Sequence, residues 1–328
     1  MTTTDQEGAV TGAMREDALD TDLLDGVRAA QHAFFSRIDP VRPQLYRYCR
    51  RLTGSVWDAE DLLQEALTRA FARAADSHQR VERVLPWLVR IATNAYLDGW
   101  RRPAPVPAEL PDSPSVPDAD PLEVRDALDT VATLLSPQER AAVVLKDVFD
   151  FPLIEIAAML GTSLAAVKAA LHRGRDRLGA PDPARRDALG RRAAPDRAVL
   201  DAMAAAFTAY DIERLTALLL ADAVSEVVGM VYEVGAETIR RGSLHHTLVV
   251  ENDVRYRAQV QELDGEPVLL LWETPADGSA PEAVSDVLRV ETADGQVARV
   301  RWYYFCPETI TEVTARLGVP ARPHGYRF

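Results

Sequence analysis

The chain has 328 residues, of which 47% are hydrophobic and 27% charged, and its net charge is −13. This length predicts two or three globular domains. No apolar run approaches the roughly 18 residues of a membrane helix, and the acidic start lacks an export signal, so we expect a cytoplasmic protein without membrane contact.

The charge is distributed unevenly along the chain. Residues 1–25 hold seven acids and one arginine, which predicts an acidic flexible arm. Residues 26–103 hold thirteen arginines and eight acids, and residues 131–192 are basic again. Two basic modules therefore lie between acidic stretches, a pattern compatible with nucleic-acid binding despite the net charge.

Periodicity and composition divide the chain into helical, linker and mixed segments. Apolar residues recur at helical spacing in the first module, as at Leu45, Tyr48 and Leu52, and prolines mark the linkers. The predicted divisions are an acidic flexible arm (1–25), a helical bundle (26–103), a Pro/Asp-rich linker (104–121), a second helical unit (122–180), a second linker (181–194) and an α+β domain (195–328).

An acidic stripe is predicted in the first module, in the stretch Asp-Ala-Glu-Asp-Leu-Leu-Gln-Glu. At 100° per residue, Asp58, Asp61 and Glu65 fall on one side of a helix, beside an apolar stripe. Such a stripe either offers an acidic face to a partner or is simply a solvated surface.

The stretch from Pro86 to Pro103 combines a core stripe with polar, basic and aromatic residues. Its polar side chains can hydrogen-bond bases or phosphates, and its aromatics either stack on unpaired bases or, more commonly, fill the core. The preceding loop is either a polar pocket or a plain solvent loop. Candidate DNA contacts in the loop and helix are Ser77, His78, Arg80, Arg90, Asn94, Asp98, Arg101 and Arg102.

A helix-turn-helix is predicted from Phe151 to Leu178, because Gly161 permits a sharp turn and Thr162 or Ser163 can cap a second helix. The N-terminal part of such a helix enters the major groove, although an ordinary amphipathic hairpin has the same periodicity. Its candidate DNA contacts are Ser163, Ala166, Lys168, His172, Arg173 and Arg175.

The last domain is predicted to begin with a helix over 195–220 and to continue as an antiparallel sheet. Its β-rich stretches are 223–231, 254–263, 267–274, 283–291 and 297–306, with hairpin signals at Asp264-Gly265 and Asp294-Gly295. Residues that could line a ligand pocket are Trp272, Trp302 and Tyr304, although alternation sends half of the aromatics at 302–305 to the opposite face.

Catalytic and metal chemistry have little support in the sequence. No acid pairs convincingly with His245 or His246, so we expect no enzyme activity. The two cysteines, Cys49 and Cys306, lack metal-ligand spacing, so no metal or cofactor is expected.

Three motifs in order resemble the sigma-70 family, specifically its extracytoplasmic-function members. They are D-A-E-D-L-L-Q-E from Asp58, W-L-x-R-I-A-x-N-x-x-x-D-x-x-R-R from Trp87, and L-S-P-Q-E-R-A-A-V-V-L from Leu135. The resemblance covers 26–178 and implies a region-2 bundle and a region-4 helix-turn-helix. The order of helices and strands after 195 is similar to the SnoaL-like branch of the cone-shaped NTF2-like fold, which some such sigma factors carry in place of a separate anti-sigma factor.

The resemblance implies a role for each motif. Core RNA polymerase, through its β′ clamp helices and β flap, and promoter DNA would be the partners. The clamp helices would face Asp58, Asp61, Gln64 and Glu65, the candidates around Ser77 to Arg102 would recognise the −10 element, and those from Ser163 to Arg175 the −35 element. The C-terminal domain would modulate activity through a small-molecule ligand or an intramolecular contact.

Two other functions remain open from the residues themselves. One is a helix-turn-helix regulator that binds operators without core polymerase, which leaves the acidic stripe and the helix from Trp87 without a role. The other is a ligand-processing SnoaL-like enzyme with a regulatory N-terminal part.

Overall fold

The computed structural model describes residues 26, 29–30, 32–76, 81–99, 135–179, 194–251 and 253–325. Its first part is a helical unit built from α1 (Arg42–Thr53), α2 (Val56–Asp76) and α3 (Val84–Asp98). The apolar stripes of these helices face one another, and Leu45, Leu63 and Leu88 are fully buried. Gly54 ends α1 in the left-handed conformation, which glycine adopts without steric cost. The predicted helical bundle is confirmed.

The second helical unit contains the predicted helix-turn-helix. It comprises α4 (Pro137–Val143), a π-helical turn (Val144–Val148), α5 (Leu153–Met159) and α6 (Leu164–Gly179). Ser136 and Glu139 form a reciprocal capping box that starts α4. The α5 and α6 axes meet at 98°, and Gly161 makes the turn at a φ of +57°. The helix-turn-helix is thus confirmed.

The two helical units share one apolar core. The Tyr48 and Phe149 rings meet edge to face with centroids 5.3 Å apart, and Arg140 Nη1 donates to the Leu52 carbonyl at 2.7 Å. The linker predicted over 104–121 lies outside the described residues. Among the described helices, none alone is long and apolar enough to cross a membrane; the bent pair α5 and α6 reaches that length and composition together.

The C-terminal part is an α+β unit. Two helices, α7 (Arg197–Thr208) and α8 (Ile212–Leu218), precede the sheet, and α10 (Pro307–Leu317) follows it. The strands are β1 (Leu219–Val227), β2 (Val231–Val234), β3 (Val254–Leu263), β4 (Glu266–Pro275), β5 (Ala283–Ala293) and β6 (Gln296–Trp302). A short helix, α9 (Ala236–Ile239), and π-helical turns over Arg240–Leu244 and His246–Val250 join β2 to β3.

The strands form one sheet in the order β2-β1-β6-β5-β4-β3. All neighbours are antiparallel except β1 and β6, which run parallel. Asp264-Gly265 and Asp294-Gly295 make the predicted hairpin turns, with positive φ at all four residues. Register shifts in three strand pairs bend the sheet, in agreement with the expected cone.

Several predicted boundaries in this part are wrong. The helix expected over 195–220 is broken at Tyr210, which adopts a positive φ, and β1 begins at Leu219. The last strand ends at Trp302, where the next amide, that of Tyr303, is shared between the Val287 carbonyl at 3.2 Å and the Asp286 side chain at 2.8 Å. Pro307 then starts α10, as its fixed φ allows at a first helical position.

The two faces of the sheet pack against different partners. On the inner face, α7 and α8 cover a core that includes Phe207, Leu215 and Leu288. On the outer face, the core includes Ile310 from α10 together with Trp57 from α2. The outer face of the C-terminal domain therefore docks on the first helical unit.

Candidate polymerase and promoter interface

The predicted acidic face lies along α2 and is only partly open. Asp58 and Glu65 are exposed. Asp61 is 35% exposed, and Gln64 is half-buried, where its Nε2 donates to Glu60 Oε1 at 2.7 Å. The helix thus brings all four predicted residues onto one surface, as the 3.6-residue period requires, and a neighbouring element covers the part around Asp61.

Arg301 at the end of β6 is that neighbour. Its Nη2 donates to Asp61 Oδ1 at 2.6 Å, while its Nε donates to Glu226 Oε2 at 3.0 Å. Burial alone lowers the pKa of Arg301, but the surrounding Tyr303, Asp61 and Glu226 raise it above the ordinary value. A charged guanidinium thus bridges one carboxylate on each domain.

Glu60 is a buried charge that the sequence reasoning missed. It is 0% exposed and accepts from Arg42 Nη2 at 3.1 Å and from Thr309 Oγ1 at 2.8 Å. Arg42 Nη1 also donates to Glu308 Oε2 at 2.5 Å. The signal was available, because Glu60 is three residues before Leu63 on the apolar side of α2, where an acid needs a buried partner.

Further contacts cross the same interface. Glu312 of α10 accepts from the Tyr46 hydroxyl at 3.0 Å and from Arg50 Nε at 2.8 Å. The Trp57 ring lies 5.0 Å from that of Tyr303. We call the helical side of this interface the docking surface; its residues are Arg42, Tyr46, Arg50, Trp57, Glu60 and Asp61.

The predicted −10 residues are only partly within the described structure. Arg90 and Asn94 are half-buried on α3 and Asp98 is exposed, where it accepts from Arg69 Nη1 at 2.7 Å. Burial lowers the pKa of Arg90, and the nearby positive charge of Arg73 lowers it further. The remaining candidates, Ser77, His78, Arg80, Arg101 and Arg102, lie outside the described residues.

The aromatic residues of α3 belong mainly to the core. Tyr96 is buried beneath the guanidinium of Arg140, whose Cζ lies 5.9 Å from the ring centroid. Trp87 packs partly buried against the helical core. The Tyr96 ring is therefore closed to stacking, the Trp87 ring is open only in part, and Trp100 lies outside the described residues.

The predicted −35 residues lie on α6. Ser163 Oγ accepts from the Ala166 amide at 3.2 Å and so caps the helix, while Ala166 itself is half-buried. Lys168 is exposed and His172 is 79% exposed. The exposed basic side chains of the helix thus begin at Lys168, in its second turn.

The two arginines of this helix that were predicted to contact DNA, Arg173 and Arg175, are exposed but engaged within their own unit. Arg173 Nε donates to Glu139 at 2.9 Å, and Arg175 Nε donates to Asp147 at 3.0 Å. Contact with DNA phosphates would therefore exchange these ion pairs for others, which lowers the net gain.

Two of the three predicted pocket aromatics line a cavity. Trp302 and Tyr304 face a space of about 560 Å³ on the inner side of the sheet. Trp272 does not line it and lies in the core of the opposite face, where the Arg257 guanidinium is 4.8 Å from its ring centroid. The reason is alternation: the preceding residue, Leu271, takes the cavity side.

The helix-turn-helix is a motif typical of DNA-binding proteins, and comparisons with known proteins identify the family to which this chain belongs. Residues 38–104 match the Sigma-70 region 2 family and residues 125–178 match Sigma-70, region 4. The chain belongs to the extracytoplasmic-function (ECF) RNA polymerase sigma factors. This rests on relatives such as SigW of Bacillus subtilis, 31% identical over 169 residues, which are 45% of this chain and 88% of SigW.

Other relatives match over a larger part of the chain. SigG of Mycobacterium tuberculosis is 33% identical over 226 residues, covering 59% of this chain and 61% of that protein. The chain thus spans less than two thirds of SigG. The crystal structure of the M. tuberculosis sigma factor SigJ is 24% identical and covers 82% of this chain and 95% of that chain, with a TM-score of 0.31.

Proposed function

We propose that this protein binds core RNA polymerase and directs transcription initiation at promoters that carry −10 and −35 elements. The observation that carries the proposal is the ordered pair of sigma-70 regions, in which α6 exposes Lys168 and His172. The first region supplies the polymerase and −10 contacts, and the second supplies the −35 contact and a contact with the β flap.

The acidic face of α2 binds the β′ clamp helices in this proposal. Asp58, Asp61, Gln64 and Glu65 are the contact residues. The polar side of α3, with the preceding loop, captures unpaired bases of the −10 element. Unstacking a base costs a few kcal/mol, which pocket contacts and polymerase binding together must supply, so no catalytic group is required.

The C-terminal domain modulates this activity by covering part of the polymerase-binding face. Arg301 holds Asp61, and α10 holds Glu60 through Thr309. Since one carboxylate cannot pair fully with two partners, the docked domain and the β′ clamp helices compete for Asp61. Polymerase binding thus requires this edge of the interface to open.

The two other functions are weaker. An operator-binding regulator that ignores core polymerase gives the acidic face no role. We infer a binding or regulatory function for the C-terminal domain, without catalysis, and turnover of a small ketone by the purified protein would contradict that.

Run-off transcription with purified core polymerase on a genomic fragment library tests the proposal. We expect promoter-specific transcripts that require this protein, and a higher yield from the Arg301→Ala variant or from a chain ending near Leu178. Absence of core binding and of transcripts from every form would instead favour the operator-binding regulator.

A further inference from the structure

The cavity in the C-terminal domain has a chemical character that its aromatic walls alone do not reveal. It lies between the inner face of the sheet and the connection that runs from β2 to β3. Aromatic side chains from the strands and from the segment that follows β6 form one wall: Tyr256, Trp302, Tyr304 and Phe305. At about 560 Å³ it has the size of a small-molecule site.

Three carboxyl groups line the same cavity. Glu233 is buried and accepts from the Ser243 amide at 2.9 Å and the Ser243 hydroxyl at 2.7 Å. Glu251 accepts from the Tyr256 hydroxyl at 2.7 Å. Gly242 leaves room for this side chain, because a Cβ at 242 would lie 1.7 Å from Glu233 Oε1.

The third carboxyl, Asp286, is the most deeply buried, with 1% exposure. Its Oδ1 accepts from the amides of Val287 at 2.7 Å and Tyr303 at 2.8 Å. No described residue hydrogen-bonds its second oxygen, and the side chain lines the cavity. Burial raises the pKa of this carboxyl well above its ordinary value.

Elsewhere in this domain, several carboxylates of low exposure are paired with arginine. Arg299 and Arg301 bind Glu226, Arg289 binds Glu266, and Arg322 binds Glu273. In contrast, none of the three cavity carboxyls forms an ion pair with a lysine or arginine of the described residues. The arginine at the cavity rim, Arg241, is 74% exposed and bonds Glu237 instead. The nearest imidazole, His246, is exposed, and its Nε2 is 3.5 Å from Glu251 Oε1.

We infer that this cavity binds an organic cation, an amine carried on an aromatic or other flat apolar body. A buried carboxylate requires a compensating charge, and the protein supplies arginine at its other sites but not here. Aromatic faces attract a desolvated cation and also stack on a flat apolar body. The unpaired carboxyl groups, the aromatic walls and the volume of the cavity therefore favour the same class of ligand.

A matched set of probes on the full-length chain tests the inference by separating charge from shape. The probes are 2-naphthylmethylamine, a cation at neutral pH; 2-naphthylmethanol, its neutral counterpart; and 2-naphthoate, the anion. Isothermal titration calorimetry at pH 7.5 and physiological salt measures each affinity. We expect the amine to bind at least about tenfold more tightly than the alcohol, and the anion to bind most weakly.

Charge-removing variants locate the binding. Asp286→Asn, Glu251→Gln and Glu233→Gln keep the side-chain shape, and each is expected to weaken amine binding severalfold while leaving alcohol binding unchanged. Glu262→Gln removes an exposed carboxylate outside the cavity and should change nothing. Because three variants are measured, a folding defect in one of them does not decide the test.

Three outcomes would overturn the inference. They are equal binding of alcohol and amine, amine binding that all three cavity variants leave intact, and no binding of the amine to the folded chain. All three outcomes are independent of the proposed transcription role, because run-off assays test that role without adding a ligand for the cavity.

Discussion

The acidic face of α2 and the basic face of α6 differ in what covers them. On α2, Glu60 is fully buried and Asp61 is bridged to Arg301 of the C-terminal domain. On α6, His172 and Lys168 remain exposed. Among the described residues, the C-terminal domain thus docks on the side proposed to bind polymerase and leaves the side proposed to bind DNA open. We infer that it acts on polymerase binding first.

The largest effect is expected from removing the buried cation of the docking surface. Arg42→Ala leaves Glu60, fully buried, without its guanidinium, and breaking a buried pair on one side costs about 3–5 kcal/mol. The free energy of unfolding in urea should fall by that amount. The control is Arg69→Ala, whose partners Glu65 and Asp98 are exposed, and it should cost about 1 kcal/mol or less. Equal losses would show that the docking surface is not a desolvated contact.

The next effect tests competition for Asp61. Arg301→Ala removes the bridge to α2, so the affinity of the full chain for core polymerase should rise about fivefold to thirtyfold, the equivalent of about 1–2 kcal/mol. The matched control is Arg299→Ala on the same strand, since Arg299 also binds Glu226 but is not bonded to Asp61. A fluorescence-anisotropy titration of labelled protein with core polymerase measures both. Unchanged affinity for Arg301→Ala would remove the case for competition at this residue.

The fold was largely predictable from the sequence, and the interdomain contact was not. Periodicity located α2 and the helix-turn-helix because each buries an apolar stripe within its own unit. Both Asp-Gly turns followed from local backbone chemistry. The docking surface, in contrast, joins residues more than 200 positions apart, such as Tyr46 and Glu312, and no local pattern pairs such residues.

The candidate site shows the same division. The acidic stripe followed from helical geometry, yet the partial covering of Asp61 depends on Arg301, which seemed only one more strand residue. Trp272 was misplaced relative to the cavity because alternation puts it on the same face as Leu270, opposite Leu271. The strand is apolar on both faces from Pro267 to Trp272, so composition does not show which face meets the cavity.

A smaller effect is expected on promoter binding by the exposed basic face of α6. Lys168→Ala removes one exposed cation from α6, so promoter binding by the reconstituted holoenzyme should weaken about fivefold, and the slope of log affinity against log salt should decrease by about 1. Arg197→Ala, an exposed cation of the C-terminal domain, is the charge-matched control. An affinity loss that does not depend on salt would argue against a phosphate contact at this position.

The smallest effect concerns the pH dependence of docking. Glu308 lies at the interface with Arg42, Glu60 and Asp39 around it, and burial raises its pKa above the ordinary value of 4.5. A group whose pKa is raised in the docked state stabilises docking fully at pH values below its ordinary pKa. This stabilisation is lost as the pH rises through the pKa of the docked state. The docked fraction should therefore decrease from pH 5 to pH 8 in the native chain.

Glu308→Gln removes this titration and should keep the docked fraction more nearly constant over the same range. The ¹⁹F spectrum of protein labelled with 5-fluorotryptophan measures it, because Trp57 packs on Tyr303 only in the docked state. Glu312 lies on the same helix as Glu308 and pairs with Arg50 of α1. The Glu312→Gln variant weakens that contact, so it should lower the docked fraction and retain the pH dependence. If native protein and Glu308→Gln respond identically to pH, the dependence arises from another group, and the docking surface is held by its buried ion pairs alone.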